Sequence, residues 1–266
     1  MSIVDKMNEI LDKQKERDNG GLIIPKIKEY VTKPGAPNPK VVDIFAAEKK
    51  IDLVTPAVFL DIGAREARLN SERKKENPSG GCPWFVLDDG SVIAETIAMC
   101  EYLDGFAYPS LLGETEEEKA RTRMWQRRIE QQILLPLLDG YRWGLGSGFF
   151  LHKDMGMHSL GIKPAADGRL NTAKDQLRWL NQVMIENGSP KFICGDRFLL
   201  PDVQFAAFLT WAFERNYNKD DFIKGLSWVE DYYNRISTRP SVVESTEKNK
   251  KWAAVETRGS KYSSKL

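Results

Sequence analysis

The amino-acid order predicts two successive units of different class, an α/β unit to about residue 106 and an all-α unit from about residue 114. Three observations carry this. Short apolar runs bounded by Gly, Pro and Asp alternate with helical spacing up to Gly105. Gly105 to Gly113, with Pro109 inside and a Gly at each end, reads as a linker. Beyond it strand patterns disappear and long amphipathic segments take over.

In chain order, residues 1 to about 19 place Ile3, Met7, Ile10 and Leu11 on one helical face, and Gly20-Gly21 ends that pattern. Ile27 to Val31 reads as a strand, and Lys33-Pro34-Gly35 as a turn. Ala36-Pro37-Asn38-Pro39 leads into a helix through Val41, Val42, Ile44, Phe45 and Ala47, with its prolines near the start. Leu53 to Leu60 follows as a second strand and Ala64 to Lys75 as a charged helix. Asp88-Asp89-Gly90 joins two apolar runs as a hairpin, and Ile97, Met99, Cys100 and Leu103 mark the next helix. Strand, helix, strand, helix, hairpin, helix is the order of a thioredoxin-like domain.

After the linker, Thr115 to Tyr141 predicts a long helix kinked at Pro136, with acids at its start as the dipole favours. Residues 140 to 168 read as a Gly-rich, aromatic-containing loop or broken helix. Asn171 to Asn187 is an amphipathic helix. Asp202 to Phe213 is apolar nearly all round, which predicts the buried central helix of a bundle. Leu226 to Ile236 gives a further helix and Arg239-Pro240-Ser241 a stop. The expected organisation is an extension over 1–24, a thioredoxin-like domain over 25–106, a helical domain over 114–246 and a polar tail over 247–266.

Bulk properties narrow the function. A formal net charge of +1 supplies no global field for nucleic acid or an acidic membrane surface. No apolar run reaches membrane-span length, and the polar opening lacks a signal-peptide core, so a soluble protein is expected. Cys82, Cys100 and Cys194 are an odd, scattered set, read as reduced thiols inside a cell. His152 and His158 have no Cys or acidic group at ligand spacing, so no metal is expected.

The stretch from Asn77 to Gly105 concentrates the chemistry. A hairpin feeding directly into a helix aims the first helical N–H groups, with the dipole behind them, at one spot that suits an anion. Thr96 adds a hydroxyl and Glu95 a carboxylate, so a carboxylate and its neighbouring ammonium fit together there. Pro83 has no N–H for a ladder and belongs at a strand start or in a tight turn, where an X-Pro bond can be cis. The plainer reading is a capped helix on a surface hairpin with no ligand.

Asn77-Pro78, the Gly pair, Cys82-Pro83, Asp-Asp-Gly, Glu95-Thr96 and Tyr102-Leu103 together resemble the second half of a glutathione transferase N-terminal domain. Met124-Trp125-Gln126-Arg127-Arg128, FICGDRFLLPDVQFAAFLTW and Arg239-Pro240-Ser241-Val242 resemble the helical domain of bacterial and fungal-type members. The resemblance covers roughly residues 26 to 246, and it makes residues before about 25 an extension, either a packed helix or a loose arm. It implies glutathione as co-substrate, a small apolar electrophile as partner, and a homodimer. It also implies that Pro83 is cis, that Cys82 lies against the backbone of glutathione's cysteine, and that Glu95 and Thr96 hold the γ-glutamyl group. Arg68 matches a position facing the glycine carboxylate. Trp125, Gln131 and the aromatics of residues 141–150 could wall an apolar pocket, or simply belong to the core.

Three departures matter. The family often has Ser, Cys or Tyr after the first strand to favour the thiolate of glutathione, whereas Ala36 has no polar side-chain atom. Asn38, the N–H groups of the first helix, or a water must then serve. Tyr30, in the strand, is the weaker candidate because strand alternation can bury it. Cys82 replaces a common Val and reads as a small buried hydrophobe, or as a thiol able to form a mixed disulfide. Leu199 stands where a Ser or Thr usually caps the central helix, a loss of about 1 kcal/mol. These leave three readings: a glutathione transferase, a non-catalytic glutathione-binding or structural protein of the same fold, and a disulfide reductase using Cys82. Finally, Ser264-Lys265-Leu266 on a polar tail reads as a peroxisomal address in a eukaryote, with the cytoplasm expected otherwise.

Overall fold

Ile27, Tyr30, Val31 and Thr32 are all buried in strand β1 (Ile27–Thr32), so this strand is covered on both faces and sits inside the sheet. The computed structural model describes residues 26–33, 35–54, 57–60, 71–146 and 163–248. The N-terminal extension, Arg68, both histidines, most of the 140–168 loop and the tail beyond residue 248 lie outside the described residues. The described residues form two units, 26–111 with 243–248, and 112–242.

In the first unit β2 (Ala57–Phe59), β3 (Trp84–Leu87) and β4 (Val92–Ala94) join β1 in the order β2-β1-β3-β4. β1 runs parallel to β2 and antiparallel to β3, and β3 and β4 form an antiparallel hairpin. Strand β2 is shorter than the expected 53–60, since Val54 is exposed and its N–H is taken by Asp52 Oδ1. Side-chain alternation separates two faces. Tyr30 and Phe85, paired across β1 and β3 with ring centroids 5.4 Å apart, share the face on which Tyr30 meets Pro39 and Asp43 of α1 (Pro37–Glu48). Phe85 there also touches Tyr102 of α3 (Thr96–Asp104). Val31, Leu60, Trp84 and Val86 form the other apolar cluster, and Trp84 Nε1 donates to Glu76 of α2 (Ser71–Glu76). Lys49 is buried after α1 and ties Asp104, Ala107 and Pro109 together at the start of the linker. Tyr108–Pro109 is cis.

In the second unit the long helix expected from 115 is α4 (Glu116–Ile129), a π-helical turn over Glu130–Leu134, and α5 (Leu135–Trp143). Pro136 lacks the N–H for an ordinary helical bond, and the π turn just before it absorbs the mismatch. Helix α6 (Lys163–Glu186) starts eight residues before the expected Asn171, because Pro164 suits a first turn and Gly168 is tolerated inside. Helices α5 and α6 pack closely at Gly140, where a Cβ would lie 2.5 Å from the Leu170 side chain. Val203, Phe205, Ala206, Leu209 and Ala212 of α7 (Leu200–Arg215) are wholly buried, as the all-round apolar pattern predicts. A short α8 (Asp220–Ile223) and α9 (Ser227–Ser237) follow.

Leu199 offers α7 no side-chain acceptor. Asp202 supplies the return half of the cap, with Oδ2 accepting from Leu199 N–H at 3.0 Å and Oδ1 from Ile193 N–H and Tyr232 O–H, both at 2.9 Å. Burial nevertheless raises this carboxyl to a pKa of about 6. Helix α9 ends at Ser237, just before the expected stop at Arg239-Pro240-Ser241, but the chain then starts another helix. Residues 240–248 are helical with Pro240 in first position, where its missing N–H costs nothing.

Candidate functional site

Strand register brings the singled-out residues of the first unit to one end of the sheet. Val31 pairs with Trp84, and Trp84 with Ala94. The C-terminal end of β1, the N-terminal end of β3 and the C-terminal end of β4 therefore lie side by side. Their next residues are the loop into α1, Cys82-Pro83 before β3, and Glu95-Thr96 after β4.

Each piece has a local cause. The turn before β3 is built on Asn77, which is buried and donates through Nδ2 to Gly81 O at 2.8 Å while accepting from Ser79 Oγ at 2.8 Å. Gly80, at φ 63°, makes the bend that a side chain would resist. That turn delivers the cis Cys82–Pro83 bond to β3. Cys82 is half-buried and packs against the Val31, Leu60, Trp84 and Val86 cluster, the setting of a small hydrophobe. Burial raises the Cys100 thiol, and Cys194 is pushed up to about 12 by burial and then by Asp202, so both stay protonated.

Glu95 is the residue before α3 and adopts φ 68°, ψ 121°, a region that side-chain-bearing residues rarely occupy. Its carboxylate is exposed and caps nothing. Thr96 begins the helix, so its N–H and the next ones have no partner within it. Neither the Glu95 nor the Thr96 side chain has a hydrogen-bond partner among the described residues. A carboxylate and a set of helix-start donors thus stand together, uncommitted.

Helix α1 is different. Ala36 is its N-cap residue and makes no side-chain cap. Pro37 and Pro39 remove two first-turn donors, and Lys40 N–H reaches back to Ala36 O at 3.4 Å. Asn38 retains an N–H and a half-exposed side chain, neither with a partner among the described residues. Of the donors expected at this helix start, Asn38 is therefore the one left. Tyr30 is wholly buried, with its hydroxyl 3.2 Å from Asp43 Oδ1 and 3.4 Å from Pro39 O. Burial, with Asp43 beside it, holds this phenol well above its ordinary range, so it stays neutral.

Asp43 is a group the sequence reading missed. Its carboxyl is raised by burial, and opposed by Lys248, whose Nζ lies 3.1 Å away. Lys40, also buried, donates to Thr246 Oγ1 at 2.7 Å. Two charged residues three apart within the apolar stretch of α1 were the available signal. Trp125 and Gln131 belong to the second unit. Trp125 is buried against Trp179 with Arg128 over its ring, and Gln131 is exposed. Arg68 lies outside the described residues. Among the described residues no group of side chains is arranged to hold a metal, and no helix is long and apolar enough to cross a membrane.

No family model matches the chain. Glutathione S-transferase 2 of Saccharomyces cerevisiae is 27% identical over 228 residues, covering 84% of this chain and 91% of that protein. A glutathione S-transferase domain-containing protein of Marinobacter aquaeolei superposes with a TM-score of 0.66 at 27% identity, over 80% of this chain and 99% of that one. These relatives support the glutathione S-transferase superfamily. A glutathione S-transferase from Methylobacillus flagellatus, solved with glutathione bound, shares the fold at a TM-score of 0.64 and 20% identity, over 82% of this chain and 98% of that one. For the glutathione transferases, the thioredoxin-like first unit and helical second unit described above are the shared architecture.

Proposed function

We propose that this chain binds glutathione at the end of its four-stranded sheet and transfers the thiolate to an electrophilic carbon of a small apolar compound. The observation that carries the reading is the convergence of uncommitted polar groups: Glu95 and Thr96 at the start of α3, and Asn38 at the start of α1, beside cis-Pro83. Glu95 suits the ammonium of the γ-glutamyl group. Thr96, with the first N–H groups of α3, suits its carboxylate. Pro83 and Cys82 border the tripeptide's backbone, and Arg68 is assigned to its glycine carboxylate. The thiolate is favoured by a donor close to sulfur, and Asn38 supplies the amide and side chain for that role. Attack forms a carbon–sulfur bond, and the electron pair leaves with the displaced group or moves onto an opened ring. Trp125 and Gln131 are proposed to border the electrophile, and two copies of the chain are proposed to assemble.

The decisive experiment is calorimetric titration of glutathione into the wild-type protein and the Glu95→Ala variant, followed by an electrophile screen. Micromolar-to-millimolar binding that weakens in the variant supports the site, and an equal Kd with the fold intact rejects it. Ala36 favours one second reading, a glutathione-binding protein without turnover. Binding with no product from any electrophile is its signature. Where Leu266 is the free C-terminus of a eukaryotic chain, Ser264-Lys265-Leu266 is proposed to direct it to peroxisomes. A tagged protein diffuse in the cytosol of its own cells rejects that destination.

A further inference from the structure

Two polar ties between α1 and residues 243–248 join positions more than two hundred residues apart in sequence. Lys40 and Asp43 stand three apart on α1, next to the turn that presents Asn38. Lys40 Nζ meets Thr246 Oγ1 at 2.7 Å, and Asp43 Oδ1 meets Lys248 Nζ at 3.1 Å. The Asp43 side chain is only 6% exposed, and Lys248 is 28% exposed. Beneath them, Tyr30 O–H reaches the same Asp43 oxygen from β1. Asp43 Oδ2 and Ser245 Oγ are buried with no hydrogen-bond partner among the described residues, so Oδ1 carries the carboxylate's contacts.

Such an arrangement is costly if its only task is stability. A buried carboxylate and a buried ammonium lose hydration, and apolar residues of the same volume often hold a helix as well or better. What hydrogen-bonded polar ties give and apolar contact does not is a fixed direction. Here the direction fixed is that of α1, whose start is short of donors because of Pro37 and Pro39. With one amide left to meet a thiolate, the angle of this helix decides whether that amide points at sulfur.

We propose that residues 243–248 are a clamp that positions α1, with Lys248 acting through Asp43 and Thr246 through Lys40 to aim Asn38 at the bound thiol. Lys248, Asp43, Lys40 and Thr246 are positioning residues, since none is assigned a contact with substrate. The role at sulfur rests on the glutathione reading above; the grip on α1 does not.

The test uses the full chain with Lys248→Met, the conservative Lys248→Arg and the milder Thr246→Val, read in three ways. Hydrogen exchange of the α1 amides over residues 41–46 reports the clamp without glutathione. It should quicken about tenfold in Lys248→Met and recover in Lys248→Arg. The pH at which bound glutathione ionises, followed by thiolate absorbance, should rise in Lys248→Met and return with arginine. Glutathione's Kd should stay within about twofold, because Glu95 and Thr96 sit on α3. Unchanged exchange over α1 in both Lys248→Met and Thr246→Val overturns the clamp, whatever glutathione does. Faster exchange with unaltered thiol ionisation overturns the aiming of Asn38. If wild-type protein binds no glutathione, the functional reading falls, and the exchange data alone decide the clamp. Should Lys248→Met not fold, Thr246→Val carries the same three readouts.

Discussion

Replacing Glu95 by glycine should move stability and glutathione affinity in opposite directions. Glu95 is held at φ 68°, ψ 121°, next to a helix it does not cap. A side-chain-bearing residue in such a region carries about 1–3 kcal/mol of strain. Glycine removes the Cβ that causes it, but its freer unfolded chain costs about 0.5–1 kcal/mol. Measured against Glu95→Ala, which keeps the Cβ and also lacks the carboxylate, Glu95→Gly should be more stable by about 0.5–2 kcal/mol. The carboxylate is exposed and has no partner among the described residues, so its loss breaks no internal bond. Both variants should bind glutathione more weakly by about 1.5–3 kcal/mol, or about 10- to 150-fold in Kd, the worth of a charge-assisted bond. Urea unfolding midpoints at constant slope give the first quantity, and calorimetry gives the second. A glycine variant less stable than the alanine one refutes the strain argument. Unaltered affinity in both variants removes Glu95 from the site.

Three further outcomes are expected. Asn38→Ala should lower turnover about tenfold and raise the pKa of the bound thiol if the side chain is the donor, and unchanged turnover assigns the role to the backbone N–H. Asp202 has a folded pKa of about 6 against an ordinary 3.8, so the folded state holds the proton more tightly. Wild-type stability should therefore fall as pH rises from about 4 to 6, losing about 3 kcal/mol relative to Asp202→Asn, and level off above that. A pH-independent difference between the two would show that the hydrogen bonds to Asp202 outweigh its burial. Lys49→Met leaves Asp104 without its buried cation and two carbonyls without their donor, and should cost about 3–5 kcal/mol in urea unfolding.

Local chemistry made much of this fold legible. Alternation and an Asp-Asp-Gly turn mark the β3–β4 hairpin, where Asp89 does take the Ser91 N–H and hydroxyl. The all-round apolar run of α7 marks the buried helix. What was not legible depends on partners far along the chain. Nothing local distinguishes Pro240 as a stop from Pro240 as a helix start. The answer lies in Lys40 and Asp43, which receive Thr246 and Lys248. Strand β2 ends at Phe59 because β1 ends at its partner Thr32, and a strand's own residues do not carry that information. For the site, residue types pointed to Glu95 and Thr96. The strain at Glu95 and the buried charges under α1 are tertiary facts.

On the proposed reading, the two helix starts at the sheet's end divide the chemistry between them. At α3 the first N–H groups are intact, and a hydroxyl and a carboxylate stand beside them, so this end holds charge of both signs. At α1 two prolines leave one uncommitted amide, on Asn38, with no hydroxyl before it at Ala36. A helix dipole acts mainly through its first-turn N–H groups, so α1 contributes far less to an anion than α3 does. Affinity should therefore reside on α3 and thiol activation on Asn38. Changes at Glu95 or Thr96 should move Kd with little effect on the ionisation of thiol already bound, and changes at Asn38 should do the reverse. A hydroxyl at the first strand's end would supply a donor that does not depend on the angle of the helix. With one amide available, small rotations of α1 remove the donor altogether. That makes the ties from Lys248 and Thr246 more consequential here than where a hydroxyl does the work.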